Sequence, residues 1–108
     1  MPVEVELLVI PDCPNTARAL DLVESALADQ GLSVPVVVTV ISTAEDARDR
    51  QFAGSPTILI NGTDPFAQSG AGTGIACRVY PTARGLDGVP DAGQLAAALA
   101  ARLRRTRR

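Results

Sequence analysis

The stretch VIPDCPNTARAL, residues 9–20, decides how this chain is read. An apolar run ends at Pro11, and one cysteine, Cys13, stands just before a segment with helical spacing. Pro14 suits a first helical turn, where its missing N–H would be unpaired anyway and its φ is already set. Behind it Leu20, Val23 and Leu27 recur on one helical face, and Gly31 is placed to end the helix. The stretch is a strand-to-helix junction carrying a thiol, which the two prolines hold at the protein's edge.

Upstream, VEVELLVI (3–10) alternates and then becomes solidly apolar, the pattern of a strand buried on both faces. Downstream, VPVVVTVI (34–41) is a second β-branched strand, too apolar to be half-exposed. Ser42 and Glu45 have capping-box spacing for a short helix reaching about Phe52. GSPTILING (54–62) predicts a turn, a third strand and an Asn-Gly turn. Residues 63–75 read as a long loop, and ACRVY (76–80) as a short fourth strand. GAGTG (70–74) leads into a strand rather than a helix, so it lacks the setting of a phosphate-binding loop. Asp91, with Gln94 at the box position, caps a last helix carrying Leu95, Leu99 and Leu103.

The order β-α-β-α-β-β-α predicts an α/β fold with helices on both faces of one four-stranded mixed sheet, strand order 2-1-3-4. The first two strands run parallel through a right-handed crossover, and the last two pair antiparallel.

Composition narrows the chemistry. The chain has 108 residues, 46% apolar and 20% charged, which bounds it to one folded domain. It contains no histidine, which excludes Cys-His and Ser-His catalysis and removes the commonest transition-metal ligand. It has no lysine for Schiff-base chemistry, and two cysteines are too few for a closed zinc site. Five of its ten arginines lie in residues 102–108, read as a tail or helix end beyond a domain of residues 1–101. That domain keeps five arginines against twelve acids, a poor nucleic-acid surface. No apolar run is long enough to span a membrane, and no secretory signal is visible, so the expected location is the cytoplasm. There two cysteines point to catalysis, redox sensing or metal binding rather than to a structural disulfide.

The element order, the cysteine at the strand-to-helix junction and the X-Pro before the third strand together resemble the thioredoxin-like superfamily. More narrowly, PDCPN, GSPTILINGTDPF and ACRVY are similar to small bacterial thioredoxin-like proteins. Some of these carry selenocysteine at the position of Cys13, and they are often labelled alkylmercury lyases. The resemblance implies that Cys13 is the nucleophile of a C-x-x-C-type motif, here C-P-N-T, with Thr16 where a resolving cysteine would stand. It also implies that Ser55-Pro56 is a cis peptide beside the thiol. Gly54, Ser55 and Pro56 would then offer backbone N–H and C=O groups to an extended peptide or to glutathione.

At a helix start, unpaired backbone N–H groups favour a thiolate, whereas the neighbouring carboxylate of Asp12 opposes a second negative charge. Thr16 either donates its hydroxyl to the thiolate or bonds its own backbone. With strand order 2-1-3-4, Cys77 falls two strands from the strand that leads to Cys13, about 10 Å away. A disulfide needs Cα atoms within about 7 Å, so the pair is expected to stay unbonded. Cys77 is expected early in its strand, towards the end opposite Cys13, as a core residue first and a second thiol otherwise. Asp64-Pro65-Phe66 starts a turn, and Phe66 either caps the sheet edge or shields the thiol.

The leading functional expectation is a thiol oxidoreductase. Its Cys13 attacks a disulfide, a glutathionylated thiol or a peroxide, and its substrate is a small-molecule thiol or a protein disulfide. No bound metal or cofactor is implied, with glutathione a candidate co-substrate. The alternatives are an organomercurial lyase-like protein using Cys13, Cys77 and Asp12 as acid, and a non-catalytic binding module on the same scaffold.

Overall fold

The computed structural model describes residues 3–67 and 72–106. Residues 68–71 of the long connection and 107–108 of the arginine-rich end lie outside them. The elements run β1 (Val5–Val9), α1 (Thr16–Asp29), β2 (Val36–Val40), α2 (Ala44–Asp49), β3 (Thr57–Ile60), β4 (Tyr80–Thr82), β5 (Gly85–Asp87) and α3 (Ala92–Thr106). Helix α3 passes through residue 102, so residues 102–106 continue the helix that precedes them.

β1 is the middle of a three-stranded sheet, parallel to β2 and antiparallel to β3. Its alternation sends side chains to two different cores. Val5, Leu7 and Val9 join Ala19, Val23, Ala26 and Leu27 of α1 and Leu95 and Leu99 of α3. Leu8 faces the other way, with Ile41, Ala47 and Phe52. Helices therefore cover both sheet faces, and β1 is the strand buried on both sides. Among the described residues no helix is long and apolar enough to cross a membrane.

The expected four-stranded sheet does not form. Residues 76–78 make only an isolated parallel bridge between Cys77 and Ser55. The following residues instead pair in a separate antiparallel hairpin, β4 with β5. Pro81 inside β4 confines that strand to a short edge-like ladder, because it has no N–H to donate.

β2 also departs from its sequence reading. β2 takes the edge position expected of it, yet Val37 is 56% exposed and Val40 52%, where the sequence predicts a covered strand. Its β-branched residues favour a strand, but they do not say how much of that strand the rest of the fold covers.

Local signals fared better. Gly31 takes φ +72° after α1, with its N–H on the Ala28 carbonyl and the Leu32 N–H on Leu27, a Schellman end. Asp91 and Gln94 cap α3 reciprocally, at 2.8 and 3.0 Å. The cap of α2 is Thr43, one residue after the expected Ser42, and its hydroxyl accepts the Asp46 N–H.

Glu6 lies on the α2 side of β1, where the Thr39 hydroxyl and Arg50 both donate to it. Burial pushes its carboxyl up, but those two donors and the arginine's charge outweigh burial and hold it below its ordinary 4.5. A carboxylate lowered on folding contributes stability above its unfolded pKa, and that contribution is lost as pH falls through its folded pKa. Glu6→Gln is therefore expected to flatten the acid limb of a urea-denaturation profile below pH 4.5. An unchanged acid limb would show that the donors contribute nothing net.

Candidate functional site

The site begins at the end of β1. Pro11 and Asp12 occupy the centre of a turn closed by the Cys13 N–H on the Ile10 carbonyl, 3.3 Å. Asp12 takes φ +56°, as the third residue of a type II turn requires, and its side chain is exposed. The turn swings Cys13 inward: it is 9% exposed and belongs to the main hydrophobic cluster with Val9 and Val89. The expected edge position is thus a nearly closed one.

Helix α1 starts three residues later, at Thr16, whose N–H donates to the Cys13 carbonyl at 3.3 Å. Among the described residues the Thr16 hydroxyl has no hydrogen bond to the Cys13 sulfur. Asn15, the residue before the helix, is held by Arg18 at 3.2 Å and packs hard against Gly88. A Cβ on Gly88 would lie 2.3 Å from the Asn15 amide nitrogen. Arg18 also bridges to Asp87 at 3.0 Å. That hydrogen bond, followed by the Gly88 N–H, holds the Asp87 carboxyl below its ordinary range. The β4–β5 hairpin is thereby pinned over the start of α1.

The Ser55–Pro56 peptide is cis. Ser55 is wholly buried, and its hydroxyl accepts the Ile10 N–H at 3.0 Å. Ile10 therefore links the two halves of the candidate site: its N–H is held by Ser55, and its carbonyl holds Cys13. Cys13 and Ser55-Pro56 are brought together by the β1–β3 pairing.

Cys77 is placed differently from its sequence reading. It lies directly across from Ser55, at the same end of the sheet as Cys13 rather than the opposite one, and it is exposed rather than core. From Ile10 through Ser55 to Cys77 is two inter-strand spacings, about 10 Å. Both thiols are free.

The backbone groups expected to be open are engaged within the chain. The Ser55 N–H donates to the Ala76 carbonyl and the Arg78 N–H donates to the Ser55 carbonyl, both at 2.8 Å. The Gly54 carbonyl accepts the Thr57 hydroxyl at 2.6 Å. The Pro56 carbonyl accepts the buried Tyr80 hydroxyl, and burial raises that phenol well above its ordinary range.

Arg78 was not singled out by sequence reasoning. The available signal was an arginine inside the otherwise apolar ACRVY, a charge that a short strand must either expose or pair. It is paired with Asp64 at 2.7 Å. Phe66 meets Tyr80 edge-on at 5.6 Å between ring centres and also packs against the main hydrophobic cluster, to which Cys13 belongs.

Gly54 takes φ +118°, and a Cβ there would lie 3.0 Å from the Arg78 Cβ. Gly54→Ala is expected to cost roughly 1–3 kcal/mol through backbone strain, and the crowding against Arg78 adds to it. Gly62→Ala is a control, since its φ is +79° but nothing lies within 4 Å. Equal urea midpoints for the two variants would remove the close approach as a cause.

Among the described residues no three His, Cys, Asp or Glu side chains are grouped to hold a metal ion, so Asp12, Cys13 and Cys77 do not form such a centre. Comparison of the chain with protein-family models, with curated proteins and with solved structures finds no match.

Proposed function

We propose that the chain is a thioredoxin-like thiol oxidoreductase that works with one nucleophilic cysteine, Cys13. The observation that carries this reading is the Ile10 link, which couples Cys13 to Ser55 beside the cis Pro56. Ser55 and the Ile10 carbonyl together fix the backbone turn that presents Cys13.

The Cys13 thiolate attacks one sulfur of a disulfide. A Cys13–sulfur bond forms, the S–S bond breaks, and the departing thiolate takes a proton from water. With Thr16 in place of a second cysteine, the mixed disulfide is resolved from outside. A thiolate such as that of glutathione attacks the substrate-derived sulfur and releases Cys13. A reducing compartment such as the cytoplasm supplies that thiol and suits two free cysteines.

Incubation with bis(2-hydroxyethyl) disulfide, followed by peptide mapping with mass spectrometry, tests the reading. The expected product is a mixed disulfide on Cys13 that glutathione removes. An adduct on Cys77 alone would leave the proposal without its nucleophile. It would favour the non-catalytic binding module, the reading that the low exposure of Cys13 supports.

A further inference from the structure

Residues 74–78 run alongside residues 52–55. Three backbone hydrogen bonds join them: Gly74 N–H to the Phe52 carbonyl at 3.3 Å, and the two 2.8 Å bonds at Ser55. The bonds at Ser55 use the N–H and C=O with which an incoming strand would pair.

The segment is fastened at one residue. The Arg78 guanidinium reaches Asp64 at 2.7 Å, the Phe66 carbonyl at 2.6 Å and the Thr57 hydroxyl at 3.3 Å. It also lies 4.5 Å from the centre of the Tyr80 ring. Its side chain is 8% exposed, whereas Cys77 and Val79 on either side are exposed. A buried charge with this many partners costs more to release than an ordinary surface arginine.

We infer that residues 74–78, fastened by Arg78, are an internal strap that occupies the pairing edge at Ser55 and restricts Cys13 to compact disulfides with no extended backbone to pair. This rests on the thiol-exchange reading above and specifies its substrate class. Arg78 is a positioning residue: it touches no reacting atom and acts by holding the strap on Ser55. An extended peptide disulfide must displace two backbone bonds to approach in register, and a compact disulfide displaces none. Glutathione then serves as the external thiol without pairing to the chain.

The test uses two probes with the same aromatic thiol leaving group. One is its mixed disulfide with 2-mercaptoethanol, the other its mixed disulfide with the central cysteine of an extended, uncharged peptide. Both react with the Cys77→Ser protein, in which Cys13 is the sole thiol, with Arg78 intact or as Arg78→Ala. With Arg78 intact, the compact probe is expected to react roughly tenfold faster or more, the scale set by two backbone hydrogen bonds. Arg78→Ala is expected to close that gap by raising the peptide rate. Equal rates with Arg78 intact, or an unchanged gap in Arg78→Ala, would overturn the inference.

Amide hydrogen exchange gives a reading independent of activity. Ser55 and Arg78 amides are expected to be protected with Arg78 intact and, in Arg78→Ala, to speed up by a larger factor than the sheet amides of β1, which report the overall loss of stability. If neither probe reacts at Cys13, the thiol-exchange reading fails and with it the substrate restriction, while protected amides would still identify the strap. Unprotected amides with Arg78 intact would remove the strap itself. Should Arg78→Ala not fold, Asp64→Asn weakens the same fastening with less loss of packing and is read in the same way.

Discussion

Arg78→Ala is expected to destabilise the fold by about 3–5 kcal/mol, the range for removing one partner of a buried ion pair. The pair qualifies as buried, since the Arg78 and Asp64 side chains are 8% and 13% exposed. Truncation strands the Asp64 carboxylate and the Phe66 carbonyl, both of which Arg78 holds in hydrogen bonds. It also removes the cation over Tyr80. Stranding, rather than the lost attraction, makes the effect large, so a second change should recover part of it. Adding Asp64→Asn to Arg78→Ala removes the uncompensated charge, and the double variant is expected to be more stable than Arg78→Ala alone. Urea unfolding of the four proteins in the cycle measures this. A single-variant loss below about 1 kcal/mol, the ordinary worth of an exposed pair, would mean that water reaches the site.

Cys13→Ser is expected to abolish thiol exchange, and Cys77→Ser to leave most of it. A serine hydroxyl cannot form the mixed disulfide, so no alternative route to the intermediate remains. Cys13 is tied through Ile10 to Ser55, whereas Cys77 sits exposed on the far side of Ser55. The substitution is nearly isosteric, so circular dichroism should show an unchanged fold. Reduction of bis(2-hydroxyethyl) disulfide coupled to glutathione turnover separates the two variants. Equal loss in both, with the fold intact, would mean that Cys77 takes part in turnover and that the one-thiol mechanism is wrong.

The features legible in the sequence are those whose causes are local. Pro11 and Asp12 carry their own turn, Asn61 and Gly62 both take positive φ as their pairing predicts, and Gly31 ends α1 without help from a distant residue. The Asp91–Gln94 cap needs only a spacing of three. Spacing likewise placed β1, β3 and the three helices, because an apolar face repeats with the period of its own element. The thiol at the junction belongs to the same class of local signal, whereas the cis Ser55-Pro56 peptide is expected only through the family resemblance, since the residues alone read as an ordinary turn.

What the chain does at a distance was settled by packing. VVVTV has the composition of a covered strand, and only the packing around it leaves Val37 exposed. ACRVY has the composition of a strand. Yet Arg78 takes its partners from residues 57, 64 and 66, so the segment leaves the sheet after a single bridge and turns towards them. That turn brings Cys77 to the end of the sheet where Cys13 lies and closes the backbone at Ser55 that the sequence left open. Local signals depend on neighbours a few residues away, which a sequence displays. The partner of a buried charge and the neighbour of a strand are chosen by the lowest free energy of the whole fold, which only the tertiary structure displays.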